Sequence, residues 1–165
     1  MLPLLLLAAF AADVPAPSGL QAVGGLAGCW RVSGQVQGRD APSIAKGEWH
    51  LGGRYFTLHL RALSREDPYE AAITYGAGRQ PGEIGSLFSD TFGGLYEPSL
   101  GRGSRTDTGF EQSYTFPDSL YVNRFERQGA GWRWTIIEQV TGRENRVFAD
   151  YRLTASSCRG MRFTY

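Results

Sequence analysis

Residues 45–62 read AKGEWHLGGRYFTLHLRA. Apolar and polar side chains alternate on both sides of Gly52-Gly53, the mark of strands with one buried face. A Gly-Gly pair between two such runs predicts a two-residue hairpin, because a type I′ turn needs positive φ at both central positions. That turn sets the register: Leu51 opposes Arg54, Trp49 opposes Phe56, and Gly47 opposes Leu58. One face then carries Trp49, Leu51, Phe56, Leu58 and Leu60. The other carries Lys46, Glu48, His50, Tyr55, Thr57, His59 and Arg61. A sheet with one apolar and one polar face wraps a single interior, as antiparallel sheets do.

The same alternation runs outward from this hairpin. It predicts strands over 29–37, 44–51, 54–62, 69–76, 83–90, 93–97, 109–116, 119–128, 131–140 and 146–154. Only 18–27, SGLQAVGGLA, has a helical spacing, enough for a short turn lidding one end. Short strands, tight turns and no intervening helices define an all-β class. The expected fold is a closed antiparallel up-and-down β-barrel of about ten strands. The longest turn-like stretch, 97–109, is expected to be a loop. Parity turns inward Trp30, Val32 and Val36, then Tyr69, Ala71, Ile73 and Tyr75, then Phe110, Gln112, Tyr114 and Phe116. It also groups Trp132, Trp134, Ile136 and Glu138 on one face, and Val147, Ala149, Tyr151 and Leu153 on another. In 119–128, Leu120, Val122, Arg124 and Glu126 share one face while Tyr121 and Phe125 share the other, which leaves that strand ambiguous.

The N-terminal run MLPLLLLAAFA is too short to span a bilayer, which needs ~20 residues. It fits a signal-peptide core, with Ala9-Phe10-Ala11 as the cleavage site. The expected organisation is a signal peptide at 1–11, a linker or short lid at 12–25, the barrel at 26–158 and a tail at 159–165. Leu26-Ala27-Gly28-Cys29 has the form of a lipidation site. However, Asp13, Pro15, Pro17, Ser18 and Gly19 separate it from the apolar core, so no stable membrane insertion is expected. The chain has two cysteines, Cys29 and Cys158. In an exported protein an even count suggests a bridge, and a closed barrel makes the first and last strands neighbours. The alternative is two unpaired thiols. The protein is expected to be periplasmic or secreted.

A formal net charge of +1 gives no global field for nucleic acid or anionic membranes, and nucleic-acid-binding motifs are absent. Walker loop, Gly-x-Ser-x-Gly elbow and Cys-x-x-Cys are absent as well.

Gly28-x-Trp30, the hairpin GEWHLGGRYF and the turn Gly129-Ala130-Gly131-Trp132 together resemble the calycin superfamily. The nearest likeness is to lipocalin-like ten-stranded bacterial barrels of unknown function, distantly similar to nitrobindin. The resemblance spans about Leu26 to Thr154. It implies a cavity for a small, mostly apolar ligand. Nitrobindin-like members hold haem through a histidine near the C-terminus. No histidine follows His59 here, so no cofactor carries over. In lipocalins an arginine near the last strand covers the opening Trp. Arg152 is nearest, but its parity is outward, so that role is not transferred.

Candidate site residues follow from the inward polar and aromatic positions: Tyr75, Gln112, Tyr114, Arg124, Trp134, Glu138 and Tyr151. An apolar pocket with a few convergent polar groups is the usual form of a binding site. Arg124 suits a ligand carboxylate, or else an internal pair with Glu138. Trp30 is expected at the barrel floor, with Cys29 facing away. His59 opposes Lys46 and His50 lies four residues on, about 13 Å at ~3.3 Å per residue. With both on the solvent face, no metal site is expected. The function read from these residues is an exported carrier or sensor for an apolar or amphipathic molecule, possibly with a carboxylate. Two alternatives stand beside it: an enzyme using Glu138 as an acid or base, and a filled barrel serving in structure or protein interaction.

Overall fold

The 45–62 hairpin folds in the register that its alternation requires. Strands β3 (Ser43–His50) and β4 (Tyr55–Ala62) pair antiparallel, with Trp49 opposite Phe56 and Gly47 opposite Leu58. The turn is wider than two residues. His50–Tyr55 is the last strand pair, and Leu51, Gly52 and Gly53 all take positive φ. Leu51 is therefore turned out into solvent rather than into the apolar face, at 76% exposure.

This computed structural model describes residues 19–66, 68–93 and 99–163. The expected signal peptide at 1–11 lies outside them. Around β3 and β4 run β1 (Gly28–Val36), the two-residue β2 (Arg39–Asp40), β5 (Glu70–Ala77), β6 (Glu83–Asp90), β7 (Ser99–Arg105), β8 (Gly109–Thr115), β9 (Ser119–Gln128), β10 (Gly131–Val140) and β11 (Arg146–Ser156). From β3 onward each strand pairs with the next, and β1 joins β3 to β11. The result is a closed ten-stranded antiparallel β-barrel of the lipocalin-like kind, with β2 folded back on the end of β1. Among the described residues closure leaves no long unpaired edge.

One end is closed by helix α1 (Leu20–Gly24), whose Leu20 and Val23, with the following Leu26, are wholly buried. Three of the four tryptophans hold it there. Trp30 Nε1 donates to Leu26 O at 2.8 Å, Trp132 Nε1 donates to Gly25 O at 3.1 Å, and the Trp49 ring lies against Gly24. A Cβ on Gly24 or Gly25 would stand 2.7 Å from an indole carbon, so these two positions must be glycine for the lid to seat. Trp30 is buried at this floor, as parity requires. Cys29, on the opposite face of β1, bridges to Cys158 just after β11, with a Cα–Cα distance of 5.2 Å. The bond fastens the first strand to the last. A disulfide of this kind fits an oxidising, non-cytoplasmic location. Among the described residues no helix is long and apolar enough to cross a membrane.

Three expectations about strands need correction. The described part of 93–97 is turn, and 94–98 lie outside the described residues. The strand in this region is β7, within the stretch read as loop. Its inner face is glycine, which hides it from an apolar pattern: a Cβ at Gly101 would meet Ser86 Oγ at 2.4 Å and the Tyr114 ring at 2.6 Å. Phe116 lies beyond the end of β8 and is exposed. Val147 is exposed because the β10–β11 register shifts at Ile136/Ile137. Phe148 is the extra residue there, and a bulge of this kind reverses parity beyond it.

Candidate functional site

Aromatic side chains line the inner wall from the closed end onward. Phe110 stacks on Phe125 at 4.6 Å between centroids, Phe125 on Trp134 at 4.9 Å, and Trp134 meets Tyr151 at 5.1 Å. Toward the other end aromatic rings continue, Phe88 against Tyr114 at 5.8 Å and Tyr121 against Phe148 at 5.3 Å, beside the small Ala71 and Ala149 and several polar side chains. Opposite each other on β5 and β6 stand Tyr75 and Ser86. Ser86 Oγ hydrogen-bonds Tyr114 Oη at 2.9 Å and Gln112 Oε1 at 3.2 Å, and Gln112 Nε2 donates to Ile84 O at 3.1 Å. This cluster is buried, and every polar atom in it is satisfied.

The exception is Tyr75. Its ring is wholly buried, edge-on to Phe110 at 5.6 Å, and its hydroxyl has no hydrogen-bond partner among the described residues. Burial pushes its phenol well above the ordinary tyrosine range, and the neighbouring Tyr114 phenol adds to this. Burial also raises Tyr114 and Tyr151 to about 12. All three phenols are neutral at physiological pH and present O–H donors.

At the mouth, Glu138 accepts from Tyr121 Oη at 2.8 Å and from Arg146 Nε. The hydrogen bond from Arg146 is the main cause that holds its carboxyl below the ordinary glutamate range, with Tyr121 second. Across the rim Tyr69 Oη donates to Asp90 Oδ2 at 3.2 Å. Deeper in, Trp134 Nε1 donates to Asn123 Oδ1 at 2.9 Å.

Six of the seven positions read from the sequence thus lie on the inner wall: Tyr75, Gln112, Tyr114, Trp134, Glu138 and Tyr151. Arg124 does not. In β9 it is Tyr121, Asn123 and Phe125 that pair with the inward Tyr114, Gln112 and Phe110. Arg124 faces solvent and donates from Nε and Nη2 to Glu111 Oε2 at 2.9 and 2.7 Å. It opposes Thr135, three residues from Glu138, so the Arg124–Glu138 pair does not exist. The guanidinium beside Glu138 is Arg146. The sequence reading also missed Ser86 and Asn123. Their only signal was alternation with Ile84 and Phe88, and with Tyr121 and Phe125.

The outer-wall histidines are closer than their strand positions imply. One ligand atom each from Glu48, His50 and His59 falls within 4.8 Å of the other two. The 13 Å spacing applies to the backbone, whereas long side chains lean along the strand. Two surface clefts complete the picture. One of about 330 Å³ lies between α1 and the β7–β8 turn, and one of about 320 Å³ runs along β4–β6 beside Phe163.

No profile of a known family matches the chain, and no curated protein matches it. Among solved structures it is similar to the crystal structure of Rv2717c from M. tuberculosis, at a TM-score of 0.58 and 16% identity. That likeness covers 86% of this chain and 99% of the other. At such identity it is a likeness of fold alone, and it supports the barrel.

Proposed function

We propose that the protein is an exported carrier or sensor that holds a small, largely apolar molecule inside the barrel, in the manner of the lipocalin-like barrels it resembles. The observation that carries this reading is the buried Tyr75 hydroxyl without a partner. Buried polar groups in native proteins find partners, and an unmade hydrogen bond at such a group costs ~1–3 kcal/mol. A ligand acceptor beside Tyr75 supplies what the chain does not.

The polar chemistry narrows the ligand. A carboxylate would need a cation on the inner wall. Arg124 faces away, and Arg146 is committed to Glu138. The better match is a neutral acceptor, a carbonyl, ester or ether oxygen, on an apolar body. Glu138 is held ionised, which suits it poorly to general-acid chemistry near neutrality. The filled-barrel alternative draws support from the Phe110–Phe125–Trp134–Tyr151 column, which occupies the closed half.

Titration with Nile red, a neutral dye bearing a carbonyl, tests the reading. Saturable binding should weaken in Tyr75→Phe and be unchanged in Arg124→Met. Absence of binding, or indifference to Tyr75→Phe, would favour the filled barrel. Export is tested by fractionation, with the mature chain expected to begin near Ala12.

A further inference from the structure

We propose that Glu48, His50 and His59 form a binding site for a divalent transition-metal ion on the outer wall, zinc being the ion that best suits this ligand set. Two imidazoles and a carboxylate are a recognised zinc combination, with the fourth position left to water or another ligand. Hard cations such as Ca²⁺ and Mg²⁺ favour oxygen ligands, whereas two of the three groups here are imidazoles.

The strand pairing builds the cluster. Glu48 opposes Thr57, His50 opposes Tyr55, and His59 opposes Lys46. Glu48 therefore stands between the two histidines on the outer face. Its Oε1 lies 3.9 Å from His59 Nε2, while its Oε2 is held by Lys46 Nζ at 2.7 Å. That division leaves Oε1 as a single oxygen ligand, oriented by its lysine partner in the way that outer-shell groups orient ligands. His59 is half-buried and its ring lies 6.0 Å from Phe163 of the C-terminal tail, which limits its movement. His50 is exposed.

The fit is close to what a metal needs. Ligands at ~2.0–2.1 Å around a tetrahedral ion stand roughly 3.3 Å apart. Here the three ligand atoms lie within 4.8 Å of one another. The remaining gap, at most about 1.5 Å, is of the size that side-chain rotation at Glu48 and His50 closes. The site is on the polar face of the hairpin, so it is independent of any ligand inside the barrel.

Calorimetric titration of the untagged, chelator-treated protein with Zn²⁺ tests this, with Co²⁺ as a spectroscopic probe. One ion should bind per chain, and Co²⁺ should give the intense visible bands of a four- or five-coordinate site. His50→Ala and Glu48→Gln should each weaken binding at least ~10-fold, the least that loss of even an outer-shell partner costs. Glu111→Gln, on a distant part of the wall, should bind as the unmodified protein does. His50 is exposed, so His50→Ala should melt at an unchanged temperature, separating ligand loss from misfolding. Absence of saturable Zn²⁺ binding, or binding that His50→Ala leaves intact, would overturn the proposal.

Discussion

Tyr75 and Ser86 face each other across β5 and β6, and their hydroxyls have opposite fates. Ser86 is bonded to Tyr114 and Gln112, whereas the hydroxyl of Tyr75 has no partner among the described residues. Removing the Tyr75 hydroxyl should therefore stabilise the empty barrel. Tyr75→Phe is expected to raise unfolding free energy by about 1 kcal/mol, the scale of an unsatisfied buried hydroxyl. Chemical denaturation of delipidated protein checks this. A loss of stability would mean that the hydroxyl has a partner after all.

Arg124→Met should change little. Its guanidinium is half-exposed and its pair with Glu111 is on the surface, where ion pairs contribute ~0–1 kcal/mol. A destabilisation of several kcal/mol in urea melts would point instead to a buried charge pair and contradict the outward placement.

The floor is a different case. Trp30→Ala removes a buried indole and its bond to Leu26 O, so a cost of about 3–5 kcal/mol is expected. Cys29→Ser with Cys158→Ser opens a crosslink spanning 129 residues of sequence. The double variant should lose about 2–5 kcal/mol while its far-ultraviolet β signature is retained.

Acid sensitivity should appear at Asp150. Arg133 holds it by two hydrogen bonds, of 3.0 and 2.9 Å, and these lower its carboxyl below the ordinary aspartate value of 3.8. A depressed folded value means that the pair stabilises above the unfolded value and that this is lost as pH falls through the folded one. The window therefore lies below about pH 4. Both groups are about two-fifths exposed, so the contribution is under ~1 kcal/mol. Urea melts of Asp150→Asn should show this deficit at neutral pH and none in strong acid.

Much of the barrel was legible because alternation and turn chemistry agreed. The β3–β4 register follows from Gly52-Gly53 and the Trp49/Phe56 parity, and the closure that brings Cys29 to Cys158 follows from an up-and-down order. What was hidden had physical reasons. In β7 the inward positions Gly101 and Gly103 leave space that Ser86, Tyr114 and the β8 backbone occupy, so no apolar pattern marks the strand. The bulge at Phe148 is set by pairing with β10 and shows in no local spacing. In β9 both faces carry apolar side chains, and only the pairing of Phe125 with Phe110 fixes which is inside. The meeting of Glu48, His50 and His59 depends on side-chain lean, which backbone spacing does not encode.

Native mass spectrometry of untagged protein purified from its own source tests the central claim most directly. The account predicts a species heavier than the polypeptide by one small molecule. That adduct should be released by organic solvent, be neutral with a carbonyl, ester or ether oxygen, and be depleted in Tyr75→Phe. A spectrum showing only the bare disulfide-bonded chain would contradict it.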